Sequence, residues 1–292
     1  MFSLPANPEV NEILDGVPVV RMQDDANELA ALISTFYDPV ALELRNSDRH
    51  RTRLRALLSL STKYQADRTR AHAVKFLESE WPKTLEDWFL HQSQMSERVR
   101  YSKLVRHYDF DYPAEHFFPE PAADLRLAID FQVPSILPTL YYRLAISDTQ
   151  IDFDQDFESQ GSLSANWKLL QARDWMRVTR GKGHLLKAAE LITDIVIQLP
   201  SPRCQEREAC KKAVYAQAGA IHIWDASADF ARQPDIIGKV FGILDSLESY
   251  ASGSSFCCSC EYSFQESLRR FLNDTWEELA DTFDLASEGE VA

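Results

Sequence analysis

Five cysteines stand in two groups, Cys204 with Cys210, and Cys257 with Cys258 and Cys260. Thiolates are preferred ligands of tetrahedral zinc, and two separated clusters in a reducing compartment can supply four of them. Cys257-x-x-Cys260 has ligand-like spacing. Cys204 and Cys210 have five residues between them, outside the usual two to four, and no histidine stands nearby. Cys204, Cys210, Cys257 and Cys260 are therefore a candidate structural zinc site, set against the alternative of ordinary buried or free thiols. Such a site would pin residues 251–255 against the start of a helix beginning near Glu206. Four protein ligands leave no open position for water, so the site would not be catalytic.

Other clusters fit their chemical templates less well. "DFDQDFE" at 152–158 has the alternating oxygens of a calcium loop, but Phe157 stands where glycine is needed and Leu163 where glutamate is needed. It reads as a solvated acidic loop. "RGKGH" at 180–184 lacks the glycine spacing and the Ser or Thr of a phosphate loop, and its glycines are expected to break one helix before the next. His107, Asp109, Asp111 and His116 share one segment whose aromatic residues point instead to burial against the surface. His222 and Asp225 have no nucleophile that the sequence places beside them. His50, His72, His91 and His184 are isolated and are expected to be solvated or singly hydrogen-bonded. No catalytic residue and no organic cofactor emerges from this reading, and a non-enzymatic protein is expected.

These residues must be positioned by a chain of 292 residues, 45% hydrophobic and 26% charged, which suits one large or two modest globular domains. The net charge of −14 disfavours a nucleic-acid partner. No apolar run approaches a membrane span and the first residues do not resemble a secretory signal, so an intracellular location, cytoplasmic or nuclear, is expected. The few cysteines agree with a reducing compartment.

Periodicity predicts helices almost throughout. Residues 17–22 read as one strand. Asp24 or Asp25 then caps a helix whose Leu29, Leu32, Ile33, Phe36 and Tyr37 form one buried stripe. Helices with Leu54, Leu57 and Leu58, and with Ala73, Phe76, Leu77 and Trp81, follow, and Pro82 stops the latter. Residues 84–90 add Leu85, Trp88 and Phe89 on one face. Residues 91–121 weaken into a loop rich in aromatics and prolines, and beyond it every periodic segment is helical.

The strand "PVVRM", the helix "ANELAALISTFYDP" and "LLSLSTKYQADRTRAHAVKFLESEWP", with the words "L.LSTKY" and "R..A..FL...WP.TL", resemble the latter half of a BTB/POZ domain of the type abundant in basidiomycete fungi. "AIDFQVPSILPTLYYRLA", "W.LL.ARD.....RG...L" and "W..L...F.L" resemble the helical extension of those fungal proteins. The resemblance implies a mainly α fold, α+β at its N-terminus. A partial BTB/POZ domain would span 1–90, an aromatic and proline-rich linker 91–121, and a helical region 122–292. In such domains "MFSLP" is the tail of a helix, so the first strands and helices of the fold would lie upstream of Met1, leaving residues 17–22 with an unpaired edge unless another part of the chain or a partner covers it. The family's usual dimerising half would be missing with them, putting dimerisation in doubt. The function implied is a protein-interaction adaptor or scaffold, with a cullin ubiquitin ligase scaffold as candidate partner. The alternatives are a transcription-associated corepressor scaffold and an uncharacterised helical enzyme.

Overall fold

The computed structural model describes residues 13–19, 22–37, 48–107, 118–151, 153, 164–197, 200–220, 234–249 and 257–285. Among these the fold is mainly helical, and strand is confined to one small hairpin. β1 (Ile13–Leu14) and β2 (Val17–Pro18) pair antiparallel, with Ile13 opposite Pro18 and Leu14 opposite Val17. Asp15 and Gly16 hold φ angles of 52° and 81° between them, the left-handed backbone that a two-residue primed turn demands. The expected strand over 17–22 is therefore corrected in its bounds, and of the two alternatives for its edge, cover by another part of the chain holds on one side. The strand ends at Pro18, and the residues just before it supply its partner.

Three helices follow, α1 (Ala26–Tyr37), α2 (Asp48–Lys63) and α3 (Asp67–Ser79), each packed on the next. Asp25 caps α1, its Oδ1 accepting from the backbone N–H groups of Asn27 and Glu28 at 2.9 and 3.2 Å, donors the first turn leaves unpaired. Asp24 accepts from Lys63 and Tyr64, tying the approach to α1 to the end of α2. Leu32 is buried and Leu29 packs against the core, but the expected single buried stripe is split: Ile33, Phe36 and Tyr37 are 44%, 61% and 85% exposed. Helical spacing groups these residues by face. It cannot say which faces another element covers, and here α2 is the principal neighbour of α1.

Thr84 accepts from the backbone N–H of Asp87 at 3.1 Å and opens α4 (Leu85–His107). The loop expected from residue 91 is thus helical through His107. No proline or glycine interrupts this stretch, and burial of Trp88 and Met95, with Val99 packed beside Met95, Phe118 and Phe153, holds it as helix. Glu120 caps α5 (Pro121–Asp130), with Pro121 in the first turn. A short 3-10 turn (Pro134–Ile136) leads into α6 (Leu137–Ile146), and both prolines sit in first turns where no helical N–H is lost.

α7 (Ala172–Ile197) runs unbroken through Gly181 and Gly183, correcting the expectation of a break there. Gly181 has a packing reason: a Cβ at that position would overlap the ring of Phe283. The roughly 1 kcal/mol that an interior glycine costs a helix is offset by seating a phenylalanine that is 0% exposed. α8 (Arg207–Ala220), α9 (Ile236–Ser249), α10 (Cys258–Glu277) and α11 (Leu279–Thr282) complete the described helices. One continuous apolar core runs from Leu32 through Tyr141 and Tyr142 to Phe283, so the N-terminal helices share their interior with the later ones. Among the described residues no helix is long and apolar enough to cross a membrane.

His91 departs from its expected solvation. Its ring lies 6.0 Å from that of Trp81 and 6.1 Å from that of Trp88, and both ring nitrogens are buried with no hydrogen-bond partner among the described residues. Burial, with Arg143 and Arg98 nearby, pushes its pKa from 6.5 down to about 3. Between those values the unfolded chain binds a proton that the folded chain refuses. Stability is therefore lost as pH falls from about 6.5, by up to about 1.4 kcal/mol per pH unit. His91→Phe keeps a ring between the tryptophans and removes the titration. Urea midpoints measured from pH 7 to 4 should fall more steeply for the wild type than for this variant, and parallel profiles would contradict the assignment.

Candidate metal centre

The chain brings its two cysteine pairs together by different local means. Cys257 stands at the N-cap of α10, and Cys260 lies one turn on, so their i, i+3 spacing puts both sulfurs at the same end of that helix. The Cys257 carbonyl accepts from the N–H groups of Cys260 and Glu261, both at 3.0 Å, which fixes this first turn. On the other side, Cys204 closes a tight turn by donating its N–H to the Ser201 carbonyl at 2.9 Å, and Cys210 enters the first turn of α8 by donating to Glu206 at 3.0 Å. The turn followed by a helical turn compensates for the long spacing of this pair.

The Sγ atoms of Cys204, Cys210, Cys257 and Cys260 all lie within 4.8 Å of one another, and all four are free thiols. Cys204 and Cys257 are 3.7 Å apart, sulfur to sulfur. A tetrahedral ion with metal–sulfur bonds of about 2.3 Å sets its ligand sulfurs about 3.8 Å apart. The cluster thus has the dimensions of a site for one four-coordinate ion. Cys210 and Cys260 are fully buried in the edge of the main core, and Cys204 and Cys257 pack against it half-buried. The fifth cysteine, Cys258, points outward.

The surroundings divide the thiols electrostatically. A hydrogen bond from the backbone N–H of Cys260 is the main influence drawing the Cys257 thiol down to about 7, and neighbouring thiols assist. Burial pushes Cys260 up to about 12 and raises Cys210 as well. A divalent cation reverses the penalty on the buried pair, because it compensates the thiolate charge that burial opposes. The Cys257 N–H also reaches Cys210 Sγ at 3.2 Å, the kind of backbone contact that orients a ligand sulfur. Across the seam Ser201 and Ser259 exchange a hydroxyl hydrogen bond at 3.1 Å, so the two segments touch beyond the sulfurs themselves.

Among the described residues, the others singled out from sequence are not brought into a site. Asp109, Asp111, His116, His222, Asp225, Phe157 and Leu163 lie outside the described residues, and His107 is described only as the end of α4. His72 is exposed, and exposed His184 shares a hydrogen bond of 3.1 Å with the Thr282 carbonyl. What sequence reading missed is a set of carboxylates at the helix seams, Asp124 and Asp174 buried and Asp235 half-buried. Asp124 accepts from Arg51 Nε and Trp81 Nε1, each at 3.0 Å. Asp174 accepts from Tyr141 at 3.1 Å, Arg126 at 3.2 Å and the Gln171 N–H at 2.9 Å. Asp235 accepts from Tyr142 and the Gly238 N–H, both at 2.8 Å. Each carboxylate meets at least one partner across a long stretch of sequence, where no local spacing signals the meeting. Comparison with protein-family models, curated proteins and solved structures found no match to this chain.

Proposed function

We propose that this chain is a non-enzymatic interaction adaptor, in which a BTB/POZ-like region over 1–90 meets a protein partner and a structural zinc ion braces the helices that follow. The observation that carries the adaptor reading is the outer face of α1. Ile33, Phe36 and Tyr37 follow i, i+3, i+4 spacing and are all exposed, and contiguous exposed apolar surface marks places where proteins meet. Aromatic anchors of this kind supply much of the energy of such interfaces. The sequence resemblance to BTB/POZ proteins supplies the partner class, a cullin scaffold. The negative charge of the chain would discourage association with other acidic surfaces.

Zinc is the ion that four thiolates at these separations suit best, and a closed tetrahedron of protein ligands braces structure without offering a reactive position. Its ligands would be Cys204, Cys210, Cys257 and Cys260. The adaptor half of the reading is tested by pull-down of a purified cullin scaffold with the wild-type chain and with Phe36→Asp. The wild type should bind, and the variant should bind about 30-fold more weakly, the equivalent of roughly 2 kcal/mol for one aromatic anchor. A wild-type chain that captures no cullin sinks the ligase reading. Co-purification of repressor components from nuclei would then favour the corepressor alternative.

A further inference from the structure

The metal centre is built asymmetrically. Cys210 and Cys260 are sealed in the core, whereas Cys204 and Cys257 are half-buried, and their sulfurs are 3.7 Å apart. A surface depression of about 560 Å³, lined by Ser201, Arg203, Cys258, Ser259 and Tyr262 among others, opens beside the same two cysteine-bearing segments. The cysteine on its wall is the outward Cys258, while Cys204 and Cys257 meet solvent only as half-buried residues, with their sulfurs within contact of one another. Resting on the zinc reading above, we propose that Cys204 and Cys257 are an oxidation site for hydroperoxides, and that their disulfide releases the metal while linking the same two segments covalently.

The chemistry balances with the peroxide as oxidant. The Cys257 thiolate attacks the terminal peroxide oxygen, the O–O bond breaks, and Cys257 sulfenic acid results, with hydroxide leaving from hydrogen peroxide or alkoxide from an organic hydroperoxide. The Cys204 thiolate then attacks the Cys257 sulfur, forming the S–S bond and expelling hydroxide. Two thiolates lose two electrons, which the peroxide accepts. The ion is left with Cys210 and Cys260, half of a tetrahedral donor set, and it departs as those two thiols take up protons. The two sulfurs start 3.7 Å apart, and a disulfide brings them to about 2.05 Å. The oxidised chain exchanges a metal brace for a covalent one between the turn at Cys204 and the start of α10.

The experiment loads the full chain with zinc, adds hydrogen peroxide in steps, follows released zinc with a metallochromic indicator, and maps disulfides by mass spectrometry after alkylation. About one equivalent of zinc per chain should be released, in parallel with a Cys204–Cys257 disulfide. Cys258→Ser, which leaves all four proposed ligands intact, should behave as the wild type does. Zinc retained at peroxide levels that fully oxidise Cys258, or zinc released with some other pairing, overturns the proposal. A chain that takes up no zinc defeats the metal reading alone. The map of its peroxide-treated metal-free form then decides the pairing, for the proposal if Cys204 and Cys257 are joined and against it if they are not.

Discussion

Cys260→Ser is expected to abolish metal binding and to lower the melting temperature by about 10 °C. Cys260 is fully buried beside three other thiols, and serine supplies a shorter, harder donor that cannot complete a thiolate tetrahedron. A ligand present at a thousandfold excess over its dissociation constant adds about 4 kcal/mol to folding, and in a chain of this size each kcal/mol moves the melting temperature by about 2–4 °C. Metal analysis of the wild type purified under reducing conditions should give about one zinc per chain. Cys257→Ser should match Cys260→Ser, and chelation of the wild type should reproduce the loss of stability. Cys258→Ser should have no such effect, since that side chain points outward. A wild type free of metal, with chelator leaving its melting temperature unchanged, would dismiss the site.

The second large effect is expected at Asp124, which is 3% exposed. Its carboxylate takes Arg51 Nε and Trp81 Nε1 at 3.0 Å each, joining α2 and the segment after α3 to the first turn of α5. Burial works against the Arg51 charge, yet Asp124 outweighs it and raises the guanidinium pKa above its ordinary value. Asp124→Ala leaves that cation buried without its principal partner and the indole N–H without an acceptor. Breaking one side of a buried pair costs about 3–5 kcal/mol, and chemical denaturation should read a loss of that order. Asp124→Asn keeps an acceptor for Trp81 and should cost less. Replacing both members, Arg51→Met with Asp124→Leu, should recover much of the loss, because two apolar side chains leave no charge stranded. Equal losses in the single and double variants would show that the pair is not the source of the effect.

The sequence makes the cysteine centre legible to the residue. Cys257-x-x-Cys260 announces itself by spacing, and the two separated groups are the only cysteines available. The Cys204 and Cys210 spacing looks wrong until the turn at Ser201 is seen to reset it. Helices are equally legible where apolar residues repeat, as in α3, and where prolines mark first turns, as in α5 and α6. Sequence reading fails where a residue's role depends on something distant. Gly181 looks like a helix breaker because the Phe283 ring against it is invisible from its neighbours. His91 looks solvated because the tryptophans that enclose it belong to a fold and not to a motif. Ile33, Phe36 and Tyr37 look buried because periodicity carries no information about coverage. The hairpin is a different kind of miss, since Asp15-Gly16 is a local turn signal that the run of apolar residues beside it obscured.

The notch at Gly181 also has a kinetic meaning. α7 can form from its own residues, but the groove on its surface is filled by Phe283, which follows α11 much further along the chain. Contacts so distant in sequence form late, after the entropy of closing the intervening loop has been lost. Until then the groove exposes apolar surface beside Tyr141, whose ring stacks on Phe283 at 5.7 Å in the finished fold. The interval between forming α7 and seating Phe283 therefore leaves apolar surface open to misassociation, and helpers that bind such surface during synthesis would find a target there.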